Sequence, residues 1–283
     1  MNKDSATFNW FPGHMAKANR ELEESIKLVD VIIEIRDARM PFASFNKEFK
    51  KIYNNKKRLI VFNKADLIDT ISQNKIINLF KEEEVLLVDA KSSSCKNKVL
   101  SKIKELAKAK IEKNLKRGIR STEIRVMVIG IPNVGKSTLI NTLSSKKSAK
   151  VENKPGVTRS LQWVQIDKTI KLLDTPGILA PKFNNKNDSL VLSLLGSVND
   201  DVVDIQEVSE FACKYLNDNY KDSLIERYGV DVESNFIHNI AIKNNIYRTN
   251  NVIDEEKTAR MIINDARNTK FGKIVWEKLD AWK

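Results

Sequence analysis

Val126-Met127-Val128-Ile129-Gly130-Ile131-Pro132-Asn133-Val134-Gly135-Lys136-Ser137-Thr138-Leu139-Ile140 decides the fold. An apolar run leads into a glycine-rich turn, and apolar residues at helical spacing follow it. That is strand, loop, helix, and the loop reads G-x-x-x-x-G-K-S. Backbone N–H groups of Val134, Gly135, Lys136, Ser137 and Thr138 would converge on an anion, with the positive end of the new helix aimed at it. Lys136 would bridge the outer phosphates of a nucleoside triphosphate, and the Ser137 hydroxyl would bind Mg²⁺. The loop alone names neither the base nor the task.

Working outward, Leu59-Ile60-Val61-Phe62 reads as a short buried strand ending in Asn63-Lys64-Ala65-Asp66, an N-K-x-D pattern. The Asp66 carboxylate can accept from both N1–H and N2–H₂ of guanine, which adenine does not offer in that arrangement. Asn63 can reach the opposite base edge, and the Lys64 stem can lie over the ring. A site built on such bonds rejects a base lacking them by about 10⁴–10⁵-fold. On the other side of the loop, Pro155-Gly156-Val157-Thr158 reads as a mobile turn whose hydroxyl, Thr158, could close on Mg²⁺ and the γ-phosphate. Asp174-Thr175-Pro176-Gly177 gives D-x-x-G. Asp174 would hold Mg²⁺ through water, while the Pro176-Gly177 turn would sense the γ-phosphate through the Gly177 N–H.

The remaining chain predicts an α/β layer followed by helices. Strands are expected over residues 29–35, 59–62, 85–88, 126–129, 161–166 and 170–173. Helices are expected over 16–28, 45–53, 71–81 and, as one long basic helix, 99–116. A polar stretch, Pro181 to Asn187, marks the best boundary. Beyond it the pattern is helical over 188–197, 204–218, 220–227, 234–245 and 255–268. The expected organisation is an N-terminal segment and helix over 1–28, a nucleotide domain over 29–180, and a smaller all-helical domain over 181–283.

With 283 residues the chain can bury one large or two modest cores. No apolar run approaches a membrane span, and the N-terminus lacks a signal-like apolar region, which predicts a cytoplasmic protein without a membrane partner. Cys95 and Cys213 are far apart and lack metal-ligand spacing, so both are expected as free thiols. Net charge is +12, split as +15 over residues 1–180 and −3 over 181–283. The excess concentrates in 91–120, with Lys102, Lys104, Lys108, Lys113, Lys116 and Arg117. Such charge suits a polyanion, RNA rather than membrane, and equally a solvated lysine-rich surface. Asp265 to Lys273 sets three cations around Phe271 and reads either as an RNA-contacting segment or as a solvated helix end. His238 lies in a helical stretch and reads as an ordinary histidine.

In familiar GTPases the phosphate loop comes first and N-K-x-D last; here Asn63 to Asp66 precedes the loop. The set is complete but rotated, which a domain whose ends lie close permits. In this it resembles the circularly permuted GTPases, and within them the bacterial ribosome biogenesis GTPase A family. The likeness rests on Trp10-Phe11-Pro12-Gly13-His14-Met15-Ala16-Lys17-Ala18, Asp37-Ala38-Arg39-Met40-Pro41, Asn63 to Asp66, residues 130–138, Pro155 to Thr158 and Asp174 to Leu179. It covers nearly the whole chain. The resemblance implies a P-loop GTPase domain of permuted motif order and a helical domain that contacts ribosomal RNA. It implies GTP, GDP and Mg²⁺ as ligands. It also implies a precursor of the large ribosomal subunit, with its rRNA, as partner, with the chain monomeric off the ribosome. Asp89-Ala90-Lys91 resembles the S-A-K loop that meets guanine O6, with Asp89 in place of Ser.

Ras-like enzymes orient the attacking water with a Gln after D-x-x-G; here Ile178 stands there. The resemblance makes His14 the catalytic group instead, since neutral imidazole can accept from water near pH 7. GTPases with asparagine at the Asn133 position often hold K⁺ beside the phosphates, so K⁺-stimulated hydrolysis is expected. Two other functions fit the same residues: a GTPase acting on tRNA or another RNA, and a GTP-gated scaffold with little turnover.

Overall fold

The computed structural model describes residues 22–53, 56–120, 122–144, 162–175 and 185–281. Six strands form one sheet: β1 Val31–Asp37, β2 Lys57–Asn63, β3 Val85–Leu87, β4 Ile124–Ile129, β5 Gln162–Gln165 and β6 Ile170–Asp174. Their order is β3-β2-β1-β4-β6-β5, all parallel except β5, which returns antiparallel along β6. β1 and β4 lie side by side at the centre. All seven residues of β1 are buried, as expected for a parallel strand covered on both faces.

β1 nonetheless carries two charges, Glu34 and Arg36, both almost fully buried. They neutralise each other at 2.6 Å, Arg58 adds a second cation to Glu34 at 3.2 Å, and the Arg36 guanidinium stacks on Phe45 at 4.3 Å. Burial without that pairing would be prohibitive.

Among the described residues, α-helices that surround the sheet and extend from it include α1 Glu48–Ile52, α2 Thr70–Leu79, α3 Ser93–Leu106, α4 Lys108–Lys116, α5 Lys136–Leu143, α6 Lys186–Leu194, α7 Ile205–Asn219, α8 Lys221–Tyr228, α9 Phe236–Lys243 and α10 Glu255–Arg267. Several begin on a side-chain cap, among them Asp69 on Ser72 N, Asp204 on Gln206 N and Asp254 on Lys257 N. Of the helix expected over 16–28, residues 22–28 are described, helical and ending in a 3₁₀ turn, Ile26–Leu28.

The single helix expected over 99–116 is two. It starts earlier, at Ser93, and breaks at Ala107, whose ψ of 0° leaves the helical range. Cys95, Val99 and Ile103 bury one stripe of α3. No residue of α4 is fully buried: Ile111 packs half-buried against the core and Leu115 is exposed, so α4 is held less firmly than α3.

In the C-terminal region α7 and α10 pack closely through Ala212, Cys213 and Leu216 against Ala259, Ile262 and Ala266, small residues letting the backbones approach. One apolar cluster runs from Val128, Val134 and Leu139 through Leu194 and Val198 to Leu216 and Ile262. The chain then leaves the helices and returns to the sheet. Trp276 N–H donates to Arg39 O at 2.8 Å, and the Glu277 carboxylate accepts from Phe42 N at 2.8 Å and Ala43 N at 2.7 Å. Val275 and Leu279 join Phe62, Ile68 and Ile76 in a cluster beside β2. Cys95 and Cys213 are buried and unpaired. No helix among the described residues is long and apolar enough to cross a membrane.

Candidate functional site

The carboxyl ends of β1, β2 and β4 bring the sequence motifs together, the usual location for ligands of an open α/β sheet. β4 ends at Ile129, the chain turns through residues 130–135, and α5 begins at Lys136. Two glycines are required by geometry. A Cβ on Gly130 would sit 2.6 Å from Ile35 O of the neighbouring strand. Gly135 has φ +99°, and its Cβ would meet Asn63 Nδ2 at 2.2 Å.

Asn63, the last residue of β2, ties three motifs to one another. Its Nδ2 donates to Val134 O of the phosphate loop at 2.8 Å, and its Oδ1 accepts from Ala90 N at 2.9 Å. The following Lys64 takes a left-handed backbone, φ 61°. Its Nζ donates to Asp37 Oδ2 at 2.7 Å and to Asn133 O at 2.9 Å. Asp37, fully buried, is also gripped by Arg39 through Nη2 at 2.9 Å and Nε at 3.1 Å. Burial would push the Asp37 carboxyl up, but Arg39 and Lys64 overturn that and hold it well below the usual carboxylate range. The same burial lowers Lys64, against the pull of Asp37.

Ala65 is buried and Asp66 exposed. Asp66 and Asp89 line one cleft of about 160 Å³ with Val88 and Ser92. Asp89 accepts from Lys91 N at 2.8 Å, a local turn that fixes the loop. The Ala90 and Lys91 N–H groups are thus both engaged within the protein.

Lys136 is buried and reaches back into the loop, donating to Ile131 O at 2.9 Å and Gly130 O at 3.2 Å. Burial pushes it down to about 8, with Asp174 pulling the other way. Asp174, at the end of β6, is pushed up by burial, and Lys136 only partly offsets this. Its Oδ1 is buried with no hydrogen-bond partner among the described residues. Thr175 closes the strand end by donating to Val128 O at 2.6 Å. Ser137 and Thr138 lie in the first turn of α5.

His14, Thr158, Pro176, Gly177 and Ile178 lie outside the described residues.

Sequence reasoning missed the partners of the loop's outer side. Asn133 Nδ2 donates to Gly196 O, and Ser197 Oγ donates to Pro132 O at 3.0 Å, from the turn after α6. Arg267 braces that turn, donating to Leu194 O and Ser193 O, both at 2.9 Å, and pairing with Asp200 at 2.6 Å. Arg39 Nη1 reaches Arg267 O at 3.4 Å. No sequence spacing announces contacts between residues 63 to 228 positions apart. Of the stretch 265–273, read as an RNA-contacting segment or a solvated helix end, Arg267 is committed inside the protein, Asp265 binds Arg227 and the Tyr228 hydroxyl, Phe271 is buried, and Lys270 and Lys273 are exposed. His238 is exposed beside Glu255 at 3.1 Å.

The family model described as "50S ribosome-binding GTPase" matches residues 125–229, and N-K-A-D at 63–66 lies before that span, as a rotated order requires. The ribosome biogenesis GTPase A of Bacillus pumilus is 37% identical over 281 residues, covering 97% of this chain and all of that protein. That of Bacillus cereus is 39% identical over 274 residues, covering 95% and 93%. Among solved structures, GNP-bound YlqF from T. maritima superposes with a TM-score of 0.64 at 25% identity, over 93% of this chain and 99% of that one. Rotated motifs converging at one sheet edge, and relatives matched end to end, carry one conclusion: the chain is a GTPase of circularly permuted order and belongs to the ribosome biogenesis GTPase A family.

Proposed function

We propose that this GTPase acts on a precursor of the large ribosomal subunit, contacting its rRNA and hydrolysing GTP when assembly is correct. The supporting observation is the join between phosphate loop and helices, Asn133 to Gly196 and Pro132 to Ser197. A partner gripping the helical region would act directly on the loop that holds the phosphates. The relatives' names, ribosome biogenesis GTPase A, point the same way.

In this reading residues 29–180 hold the nucleotide, 181–283 sense the partner, and 1–28 supply the catalytic arm. The protein works as a cytoplasmic monomer off the ribosome. Asn63, Lys64, Ala65 and Asp66, with Asp89, Ala90 and Lys91, receive guanine. Gly130, Asn133, Val134, Gly135, Lys136, Ser137 and Thr138 hold the phosphates, and Pro176 and Gly177 sense the third. Lys136 would leave the two carbonyls it caps for phosphate oxygens. Their negative charge would favour the protonated form, against the burial that disfavours it.

Mg²⁺ fits Ser137 and Asp174, because the Asp174 Oδ1 is a buried acceptor lacking a partner among the described residues. Thr158 would complete the set. When bound, the ion offsets charge on the β- and γ-phosphate oxygens. Asn133, in the phosphate loop, is the residue for K⁺, which its side-chain carbonyl oxygen would meet. Since Ile178 cannot hydrogen-bond a water, His14 orients it.

Two measurements bear on this. Co-sedimentation in the presence of a GTP analogue should carry the chain down with large subunits more strongly than GDP does. Preferential capture by tRNA would contradict the reading. His14→Ala should lower kcat and leave GDP affinity near wild type; a large loss of GDP binding would make His14 structural instead.

A further inference from the structure

The net positive charge of this chain belongs to residues 1–180, outside the helices that the ribosomal reading assigns to the partner, and in the basic arm of α3 and α4 the structure sorts it into two kinds. At the root of the α3–α4 arm the cations are committed. Lys102 pairs with Glu84 at 2.7 Å, Lys104 with Asp167 at 3.6 Å, and Lys110 with Asp30 at 2.7 Å while also donating to Glu123 O at 2.7 Å. These contacts pin the arm to the sheet. At the tip none of Lys113, Lys116, Arg117 and Arg120 has an ion pair with a described residue, and all four are exposed.

The tip is also built. Gly118, φ +78°, reverses the chain; its N–H donates to Leu115 O at 2.9 Å, and Ile119 N–H donates to Asn114 O at 3.0 Å. That paired closure fixes the cations at the end of a defined helix. Leu115 and Ile119 stand among them, 55% and 44% exposed. The helix macrodipole accounts for part of Lys113 and Lys116, but its effect fades beyond the last turn, before Arg120. The four like charges repel one another, and the two large apolar side chains are left in water. Guanidinium pairs flanked by short apolar contacts suit phosphate oxygens and ribose edges.

We propose that the tip of α4 and the turn after it, residues 113–120, is a phosphate-contacting RNA surface. This arm, rather than the acidic C-terminal helices, supplies the electrostatic share of binding to the large subunit. The inference rests on the ribosomal reading above and names the surface that reading uses. The C-terminal region would then contribute shape and signalling, with little counterion release.

The test is the salt dependence of binding, to large subunits and separately to their deproteinised rRNA, over a KCl series. Neutralising four phosphate contacts should reduce the slope of log K against log salt by about 3, at roughly 0.7–0.9 per contact. The arm variant is Lys113→Gln, Lys116→Gln, Arg117→Gln and Arg120→Gln. The control is Lys243→Gln, Lys270→Gln, Lys273→Gln and Lys278→Gln, four exposed cations of the C-terminal region. Unchanged GDP affinity in both variants checks folding. The expected result is a slope loss of about 3 for the arm variant on both partners, and under about 1 for the control. An unchanged arm slope, or a loss on subunits without one on bare rRNA, overturns the inference, the latter because the arm would then meet a protein. If the unmodified chain binds rRNA but not subunits, the ribosomal reading fails while the arm is still judged on the rRNA series. If it binds neither, both fail.

Discussion

Asn63 carries more of the site than any other side chain. One amide holds the phosphate loop through Val134 O and the base loop through Ala90 N, and it faces Gly135 so closely that no Cβ fits there. Next to it Lys64 bridges Asn133 O and Asp37. Asp66, in contrast, is exposed and has no hydrogen bond with a described residue, which leaves its carboxylate for a base. Its replacement should therefore change which base binds. Asp66→Asn offers an amide donor where guanine has donors and xanthine has an oxygen. We expect GDP to weaken relative to XDP by about 10²-fold or more in competition binding, given how heavily unpaired polar groups are penalised. An unchanged GDP-to-XDP ratio would remove Asp66 from the base site. At this scale N-K-A-D and the phosphate loop were legible, because each needs fixed residue types at fixed local spacing. The place of Asp37 was not: its partner Lys64 is 27 residues away, just past the end of the adjacent strand, and only the parallel pairing of Asp37 with Asn63 joins them.

Elements show the same division. The strands read from apolar runs because parallel strands are buried on both faces, and their bounds moved by only a residue or two for most. The basic helix read as one piece because Ile103, Ala107 and Ile111 keep an i+4 spacing; α3 buries a full stripe while α4 only half-buries Ile111, and the helix breaks between them. The final stretch, residues 274–281, falls within the span expected as the helical domain, yet it docks on the Phe42–Ala43 turn through Glu277. Burial pushes the Glu277 carboxyl up to about 7, beyond what the two accepted N–H groups take back. The consequence has a sign. A carboxyl raised on folding is stabilised in its protonated form, so its contribution is complete below the ordinary value of 4.5 and is lost as pH rises through about 7. Relative to Glu277→Gln, which cannot ionise, the wild-type melting temperature should fall between pH 5 and pH 8. A difference that stays constant over that range would mean that Glu277 is solvated in the folded protein.

On the scale of the whole molecule, rotation of the motif order lets the chain leave β6 at the D-x-x-G switch and enter the helices directly. Those helices return to the phosphate loop at Gly196 and Ser197, while Arg267 links their turn to Asp200 and, through its carbonyl, to Arg39. Arg39 holds Asp37, and Asp37 holds Lys64. Base loop, phosphate loop and helical region thus share one closed circuit of polar contacts. Apart from the local Arg39–Asp37 pair, every link spans distant positions, so no local pattern in the sequence could disclose it. Such a circuit would let a partner on the helices set the state of the loop, and a nucleotide in the loop set the grip on the partner, as reciprocal coupling requires. The most direct measurement is GTP turnover by the intact chain with and without large ribosomal subunits, in KCl and in NaCl. Slow turnover alone, marked stimulation by subunits, and stimulation larger in KCl are the predicted results. Turnover indifferent to subunits in both salts would contradict the account and leave a GTP-gated binding protein in its place.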